Sequence, residues 1–244
     1  MLGPPLDDVV LVIAHPDDEC MFFYPTVARA TTLHIICLSD GGYDGLGDTR
    51  AAELRRAAAR LGATATCIND ARLRDGPHAW DAAVVEEVVR PRLRAGALVV
   101  TFDRGGASGH ANHVACYHGA AAASKGPPRR REQRSRRWRG GRKRHAANVQ
   151  VHAGVRRIAQ TKTTGRFYAL ETAPRYRRFI GALDVACAWI RARLDARRSL
   201  LVASVDVRGC YAALAAHASQ LVWFRRLFVV FSAYTYANRL VAIE

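Results

Sequence analysis

The sequence contains little lysine and no closely spaced cysteines. Of its 37 basic residues only Lys125, Lys143 and Lys162 are lysine, which indicates a compositional bias in the coding sequence rather than selection for arginine chemistry. The six cysteines are scattered and include no C-x-x-C pair, so a small disulfide-stapled scaffold is excluded. We therefore expect reduced thiols in a cytosol-facing protein.

Long hydrophobic runs are also missing. The first apolar run, Val9 to Ala14, follows two acidic residues and is far shorter than the roughly 20 residues that a membrane-spanning helix needs. A cleavable signal peptide and an N-terminal spanning helix are therefore not expected. At 244 residues with 50% hydrophobic content, the chain has enough apolar material for one sizeable core, so a single domain is the default.

The net charge of +16 is concentrated in one segment of the chain. Residues 124–150 hold eleven Lys or Arg and one acid, Glu132, so they account for +10 of the total. The remaining 26 basic and 20 acidic residues leave +6, which is ordinary for a soluble domain or for one that touches an anionic surface. The overall charge therefore describes a segment rather than the whole protein.

Buried strands alternate with helices along the first half of the sequence. Runs rich in β-branched residues predict strands at Val9 to Ala14, Leu33 to Leu38, Ala63 to Ile68 and Ala97 to Phe102. Helices are predicted from Asp48 to Leu61, with Asp48 as N-cap and Gly62 just past the end, and from about Asp81 to Leu93. This alternation predicts an α/β fold, a Rossmann-like, doubly wound and mostly parallel sheet, with ligands beyond the carboxyl ends of its strands.

The second half of the chain gives weaker signals. We expect a strand at Phe167 to Leu170, a helical region through Ile190, a strand near Leu200 to Val205 and a helix-rich segment from Cys210 to Asn238.

Histidines and carboxylates follow two of the predicted strands. His15-Pro16-Asp17-Asp18-Glu19 comes directly after the first strand, and Gly109-His110-Ala111-Asn112-His113 follows the strand that ends at Phe102. A catalytic zinc ion needs three ligands of the His, Asp or Glu type and one open position. Two histidines and one carboxylate from these loops meet that need, and the spare groups remain for proton transfer and charge stabilisation.

Four blocks of the sequence resemble a known enzyme family. AHPDDE at Ala14 to Glu19 is similar to the signature of the LmbE-like zinc-dependent de-N-acetylases. Two further blocks, LSDGGYDGLGDTRAAEL at Leu38 to Leu54 and TFDRGGASGHANH at Thr101 to His113, extend the match, and HASQLVWFRRLFVVFS at His217 to Ser232 favours the PIG-L type. The resemblance implies hydrolysis of the N-acetyl group of N-acetylglucosaminyl-phosphatidylinositol, in the second step of GPI-anchor synthesis.

The resemblance also implies roles for individual residues. His15, Asp18 and His113 would bind Zn²⁺ or another divalent metal. Asp17 would be the general base that takes a proton from the metal-bound water. His110 would stabilise the oxyanion of the tetrahedral intermediate or protonate the leaving amine, and its alternative role is to orient the loop.

Further candidate residues have open assignments. Arg50 is a candidate for gripping an anionic or hydroxylated part of the substrate, with Glu53 as its partner on the helix surface; an ordinary solvated pair is the alternative. Glu19 is expected to give structural support rather than to bind metal. His217 either approaches the site or serves in capping or in the core.

The aromatic C-terminal segment, 217–240, suggests contact with a membrane surface. In Leu221 to Leu240 we expect one helical face to carry Leu221, Phe224, Phe228 and Phe231, lying in the headgroup region of a bilayer or packing on the sheet. Members of the resembling family usually carry an N-terminal anchor. Here either the chain is truncated, or attachment relies on this tail and on basic residues attracted to anionic lipid. The family implies a location at the cytoplasmic face of the endoplasmic reticulum membrane.

The basic segment interrupts the predicted deacetylase domain, residues 7–244, at residues 124–150. We interpret it as a disordered insertion. Three explanations for it remain open: a solvated loop, a segment that contacts lipid or RNA, and a translation artefact. It holds one aromatic residue, Trp138, whereas nucleic-acid surfaces normally interleave several, so no nucleic acid is expected as partner. The alternatives are a deacetylase of a soluble GlcNAc conjugate and, from another class, a non-catalytic protein that binds nucleic acid or anionic membrane through residues 125–144.

Overall fold

The protein is built on one seven-stranded sheet. The computed structural model describes residues 3–125, 165–196 and 198–244. The strands are β1 (Leu6–Ile13), β2 (Ala30–Cys37), β3 (Thr64–Cys67), β4 (Leu98–Phe102), β5 (Arg166–Leu170), β6 (Ser199–Ala203) and β7 (Ala237–Ala242). They lie in the order β3-β2-β1-β4-β5-β7-β6; the first five are parallel, and β7 is antiparallel to both of its neighbours. The predicted α/β, mostly parallel sheet is confirmed.

Helices connect the strands. They are α1 (Asp18–Met21), α2 (Tyr24–Val27), α3 (Gly47–Arg60), α4 (Ala82–Val89), α5 (Gly106–Gly109), α6 (Ala111–Ser124), α7 (Asp184–Leu194), α8 (Val207–Leu214), α9 (Trp223–Phe231) and α10 (Ala233–Tyr236). Among the residues that the structure describes, no helix combines the length and the hydropathy that crossing a bilayer requires.

The central strands are buried on both faces. Val9 to Ile13 of β1 are all 0% exposed, although successive side chains of a strand point to opposite sides of the sheet. Layers must therefore cover both faces, as in other α/β proteins. Complete burial of one such side chain contributes about 1.5–3 kcal/mol, so this run anchors the core. All six cysteines are free.

The helix predicted from Asp48 to Leu61 is observed as α3, with a different start. Leu46 holds the N-cap position and makes no side-chain capping bond, so the expectation that Asp48 caps the helix is wrong. Asp48 lies in the first turn, where its charge interacts with the helix dipole instead. Gly62 follows the helix end with φ of +65°, as the sequence predicts.

The C-terminal segment departs most from the sequence prediction. A helix-rich segment is expected to continue to Asn238, but β7 begins at Ala237 and lies between β5 and β6. Two polar residues, Asn238 and Arg239, stand inside this strand and are buried, which disguises its apolar pattern. Arg239 pairs with Glu171 and Asp195, each at 2.7 Å, so the burial of its charge is compensated by residues that are distant in sequence.

The four residues expected on one face of the tail helix do not share one environment. Phe224 and Phe231 are 54% and 53% exposed. Phe228 is half-buried and its ring contacts Phe22 and Phe179, while Leu221 precedes the helix. Phe224, Phe228 and Phe231 stand three or four residues apart inside α9 and therefore share one helical face, as predicted, whereas the prediction is wrong for Leu221, which lies outside the helix. This face packs on the core at Phe228 and is exposed at Phe224 and Phe231.

The basic insertion falls almost entirely outside the described residues. Helix α6 ends at Ser124, where the insertion is predicted to begin. Residues 126–150 lie outside the described residues. They include all but Lys125 of the segment 125–144 that was considered for membrane or nucleic-acid binding.

Asn238→Ala should destabilise the fold. The Asn238 Oδ1 atom accepts bonds from the Thr26 N–H at 3.1 Å and hydroxyl at 2.7 Å, and its amide donates to the Phe22 carbonyl at 2.8 Å. Truncation leaves these buried groups without their partner, and we expect the free energy of unfolding to fall by about 1–3 kcal/mol in urea titrations. Asn69→Ala, at an exposed asparagine, is the control and should change it by less than about 0.5 kcal/mol. Equal stabilities of the two variants would contradict this prediction.

Candidate active site

The predicted site residues meet at the carboxyl edge of the sheet. His15, Asp17 and Asp18 follow β1, and His110 and His113 follow β4. Strands β1 and β4 are parallel neighbours, so their carboxyl ends open on the same crevice. The sheet therefore brings together two loops separated by almost one hundred residues.

A strained turn after β1 directs two adjacent acids differently. Asp17 has φ of 111° and ψ of −19°, in the left-handed region that a residue with a side chain rarely adopts. Its backbone N–H donates to Glu19 Oε2 at 3.1 Å. Asp18 Oδ2 accepts the N–H groups of Ala14 and His15 at 3.1 and 2.9 Å. Asp18 is thereby fixed against the end of β1, and Asp17 is free to face the cleft.

Asp18 lies between the two histidines that were predicted to share a metal with it. His113 Nε2 is 3.3 Å from Asp18 Oδ1, and His15 Nδ1 is 3.7 Å from Asp18 Oδ2. All three side chains are buried. Burial alone would raise the pKa of the Asp18 carboxyl, but His113 and His15 hold that pKa well below its usual range.

The outer nitrogen of each histidine is held by a neighbouring acceptor. His15 Nε2 lies 3.0 Å from Asp75 Oδ1 and 3.2 Å from Asn112 Oδ1, and His113 Nδ1 lies 2.9 Å from the Gly106 carbonyl oxygen. The opposite nitrogen of each ring faces Asp18. Metal-binding histidines typically donate their second N–H in this way, which fixes the tautomer. The residues present therefore fit a divalent metal held by His15, Asp18 and His113.

His110 is the third histidine of the group and is half-buried, whereas His15 and His113 are buried. Its ring centroid is 4.8 Å from that of His15 and 5.1 Å from that of His113, and the ligand nitrogens of the three histidines lie within 4.8 Å of one another. The Asn112 N–H donates to His110 Nδ1 at 3.2 Å, so a neutral His110 ring carries its proton on Nε2. This nitrogen can donate a hydrogen bond to an oxygen in the cleft.

Asp17 is a buried acid with two cationic neighbours. An Nη atom of Arg225, on α9, forms a close ion pair with Asp17 Oδ2, and Arg50 Nη2 lies 3.7 Å from the same oxygen. Burial raises the pKa of the Asp17 carboxyl above its usual value, and the positive charges of Arg225 and Arg50 oppose that rise. A carboxylate in such surroundings can exchange a proton with a nearby water.

Arg50 reaches the cleft but is tied to the backbone. Its two Nη atoms donate to the carbonyl oxygens of Gly41 and Pro16, each at 2.9 Å, so it joins the loops that follow β2 and β1. The expected pair with Glu53 is wrong. Glu53 instead accepts the N–H and the hydroxyl of Ser219 at 2.8 and 2.6 Å, because its face of α3 packs against the turn at 218–220. Substrate binding by Arg50 stays a prediction.

These residues line a cleft of about 430 Å³, within the size range of small-molecule sites. Its walls combine the predicted residues with Phe22, Tyr43, Asp75 and Arg225. A second cavity of about 380 Å³ adjoins it and shares Tyr43 and Asp75. The combined space suits a ligand larger than a single sugar ring.

Comparison with known proteins agrees with this geometry. The family model described as PIG-L, GlcNAc-PI de-N-acetylase, matches residues 10–124. A Schizosaccharomyces pombe protein described as a probable N-acetylglucosaminyl-phosphatidylinositol de-N-acetylase is 30% identical, in an alignment that covers 96% of this chain and 86% of the relative. The chain belongs to the GlcNAc-PI de-N-acetylase family. A Bos taurus relative, described as N-acetylglucosaminyl-phosphatidylinositol de-N-acetylase, is also 30% identical, over 95% of this chain and 81% of its own length.

Solved structures share the fold at lower identity. The N,N'-diacetylchitobiose deacetylase from Pyrococcus horikoshii superposes with a TM-score of 0.54 at 12% identity, covering 96% of this chain and 82% of that chain. A conserved protein from Thermus thermophilus gives a TM-score of 0.52 at 20% identity, over 96% and 94% of the two chains. At these identities the likeness supports the architecture and not a shared substrate.

One support of the site comes from outside the stretch that the family model matches. His217 is completely buried, and its Nε2 lies 2.5 Å from Glu19 Oε1. Glu19 therefore joins the C-terminal segment to the backbone of Asp17, in agreement with the expected supporting role. His217 stands at the start of the turn at 218–220 without a side-chain capping bond, so it acts through Glu19 rather than as a cap.

Sequence reasoning missed Asp75. It follows β3 in the chain, and its loop returns over the same sheet edge, where it contacts His15 and lies 3.7 Å from Arg50. The available signal was an acid before Gly76-Pro77 in the loop after a third parallel strand. Asn112 was also missed, although it stands inside the His110 to His113 motif.

Asp75→Asn should weaken metal binding. The amide is a poorer partner for the His15 N–H than the carboxylate, and changes of this kind in the outer shell typically lower metal affinity about 10–100-fold. Competition with a chromophoric zinc chelator measures the affinity. Asp70→Asn, in a surface pair with Arg72, is the control and should bind zinc like the unmodified protein. Unchanged affinity in Asp75→Asn would show that Asp75 does not orient His15.

Proposed function

We propose that this protein is a metal-dependent hydrolase that removes the N-acetyl group of N-acetylglucosaminyl-phosphatidylinositol. The products are acetate and glucosaminyl-phosphatidylinositol, and the reaction is the second step of GPI-anchor synthesis. The observation that carries the proposal is the convergence of Asp17 with His15, Asp18 and His113 in one cleft. Relatives at 30% identity over most of the chain, named for this activity, support the choice of substrate.

The metal would be held by His15, Asp18 and His113, and we propose zinc. When bound, it supplies a Lewis acid for the acetyl carbonyl. The outer contacts to Asp75 and Gly106 keep the two imidazoles oriented for this task.

The chain's own groups move the protons. Asp17 takes a proton from the attacking water, whose oxygen forms a new bond to the acetyl carbon. His110 donates a hydrogen bond from Nε2 to the carbonyl oxygen as negative charge develops there. The bond between carbon and nitrogen then breaks, and the proton held by Asp17 passes to the leaving amine. The products are acetic acid and the free amine, and the acid then loses its proton to the amine or to solvent to give acetate.

The substrate's lipid part brings the protein to a membrane surface. Helix α9 exposes a continuous apolar face made of Trp223, Phe224, Leu227, Val230 and Phe231. Exposed faces of this kind are typical of helices that lie in the interface of a bilayer. We propose that this face contacts lipid, at the cytoplasmic side of the endoplasmic reticulum membrane.

Removal of the metal should abolish turnover, and removal of the base should slow it strongly. We expect chelator-treated protein to stop releasing acetate from the synthetic glycolipid and zinc to restore release. Asp17→Asn should lower kcat about 10²–10⁴-fold, because the amide cannot take the proton. Asp48→Asn, at an exposed acid of α3, is the matched control and should keep full activity. Undiminished release by Asp17→Asn would refute the proposed role of Asp17.

Equal rates on a lipid-free GlcNAc conjugate would instead favour a soluble substrate.

The apolar face of α9 should govern vesicle binding. The triple variant Trp223→Ala/Phe224→Ala/Leu227→Ala removes large exposed side chains, and we expect the affinity for vesicles of phosphatidylcholine and phosphatidylinositol to fall at least about tenfold in flotation assays. Trp189→Ala/Leu194→Ala alters exposed residues of α7 and serves as control. A similar loss in both variants would mean general adhesion by exposed apolar groups rather than docking through α9.

A further inference from the structure

Arg225 is the point where the apolar helix α9 reaches the catalytic cleft. The neighbouring Trp223 and Phe224 turn outward and are 72% and 54% exposed. The Arg225 side chain turns inward, is 20% exposed and lines the cleft beside Asp17. One helix thus presents a lipid-like surface on one side and a cation to the site on the other.

The two arginines of the cleft, Arg50 and Arg225, differ in their hydrogen-bond partners. Arg50 is buried and donates to two backbone carbonyl oxygens, so its position is set by the fold. In the described part of the chain the bonds of the Arg225 guanidinium go to Asp17 alone. A guanidinium has five N–H donors, so most of the hydrogen-bonding capacity of Arg225 remains for a ligand.

The chemistry of the proposed substrate places an anion at this boundary. Its phosphodiester joins the polar inositol to the diacylglycerol, so the phosphate must lie where a sugar-binding cleft meets an apolar surface. Arg225 stands at that junction, between the cleft and the exposed residues of α9. The planar guanidinium also matches phosphate oxygens in pairs, which a lysine ammonium does not.

Resting on the function proposed above, we propose that Arg225 binds the phosphodiester of the substrate and gives up its contact with Asp17 when it does so. The phosphate replaces the carboxylate as the anionic partner of the guanidinium. Asp17 is then left facing the attacking water. Arg225 therefore makes the enzyme selective for substrates that carry a phosphate next to the inositol.

The test compares one phosphate-bearing and one phosphate-free substrate. N-acetylglucosaminyl-inositol phosphate and N-acetylglucosaminyl-inositol are both soluble and lack lipid, so membrane docking does not enter. We expect Arg225→Met to lower the ratio of their kcat/KM values at least about tenfold, mainly through KM for the phosphorylated substrate, the size expected for one lost charge-assisted contact. Arg225→Lys should restore part of the ratio. Arg226→Met, at the exposed next residue, is the control and should keep it.

A direct binding measurement separates this proposal from the proposed reaction. Calorimetric titration of each variant with the phosphorylated compound should show the same loss for Arg225→Met and none for Arg226→Met. An unchanged ratio of the kcat/KM values would overturn the proposal. If both values fall by the same factor, Arg225 acts on Asp17 rather than on the phosphate. Arg225-dependent binding without acetate release by the unmodified protein would refute the reaction and retain the phosphate contact.

Discussion

The carboxylate of Asp18 joins the two halves of the site. One oxygen accepts two backbone N–H groups at the end of β1. The other lies 3.3 Å from Nε2 of His113, a residue of α6, which follows β4 in the chain. A buried carboxylate is costly unless it is fully compensated, and these contacts supply the compensation. The left-handed turn at Asp17 accompanies these contacts, so Asp18 is directed toward the histidines and Asp17 toward the cleft. The other contacts of the site maintain this arrangement.

The C-terminal segment closes the site from a second direction. His217 pairs with Glu19 in a fully buried contact, and Ser219 pairs with the buried Glu53 in a partly buried one. They hold the start of this segment against the loop after β1 and against α3. Helix α9 follows directly, so its position over the cleft is a consequence of these pairs. The apolar surface and the chemical groups are thereby set side by side.

Much of the fold was predictable because its signals are local. The short, β-branched apolar runs of β1 and β4 are typical of strands covered on both faces, and α3 ends where Gly62 supplies a positive φ. Strand β7 was not predictable in the same way. Its buried Asn238 and Arg239 are satisfied by partners from other elements, so its sequence lacks the apolar pattern of a central strand. The cap assigned to Asp48 failed because the N-cap position falls two residues earlier, at Leu46, which has no capping side chain.

The sequence by itself determined the parallel part of the sheet, the two loops at its carboxyl edge and the set of imidazoles and carboxylates that they carry. These follow from hydrophobic periodicity and from which residues come directly after a strand. Only the tertiary structure places Asp75 against His15, pairs Glu53 with Ser219 rather than with Arg50, and brings Arg225 into contact with Asp17. The last contact joins residues 208 positions apart. Spacing along a chain reports which residues share a face, but only packing reports which faces meet.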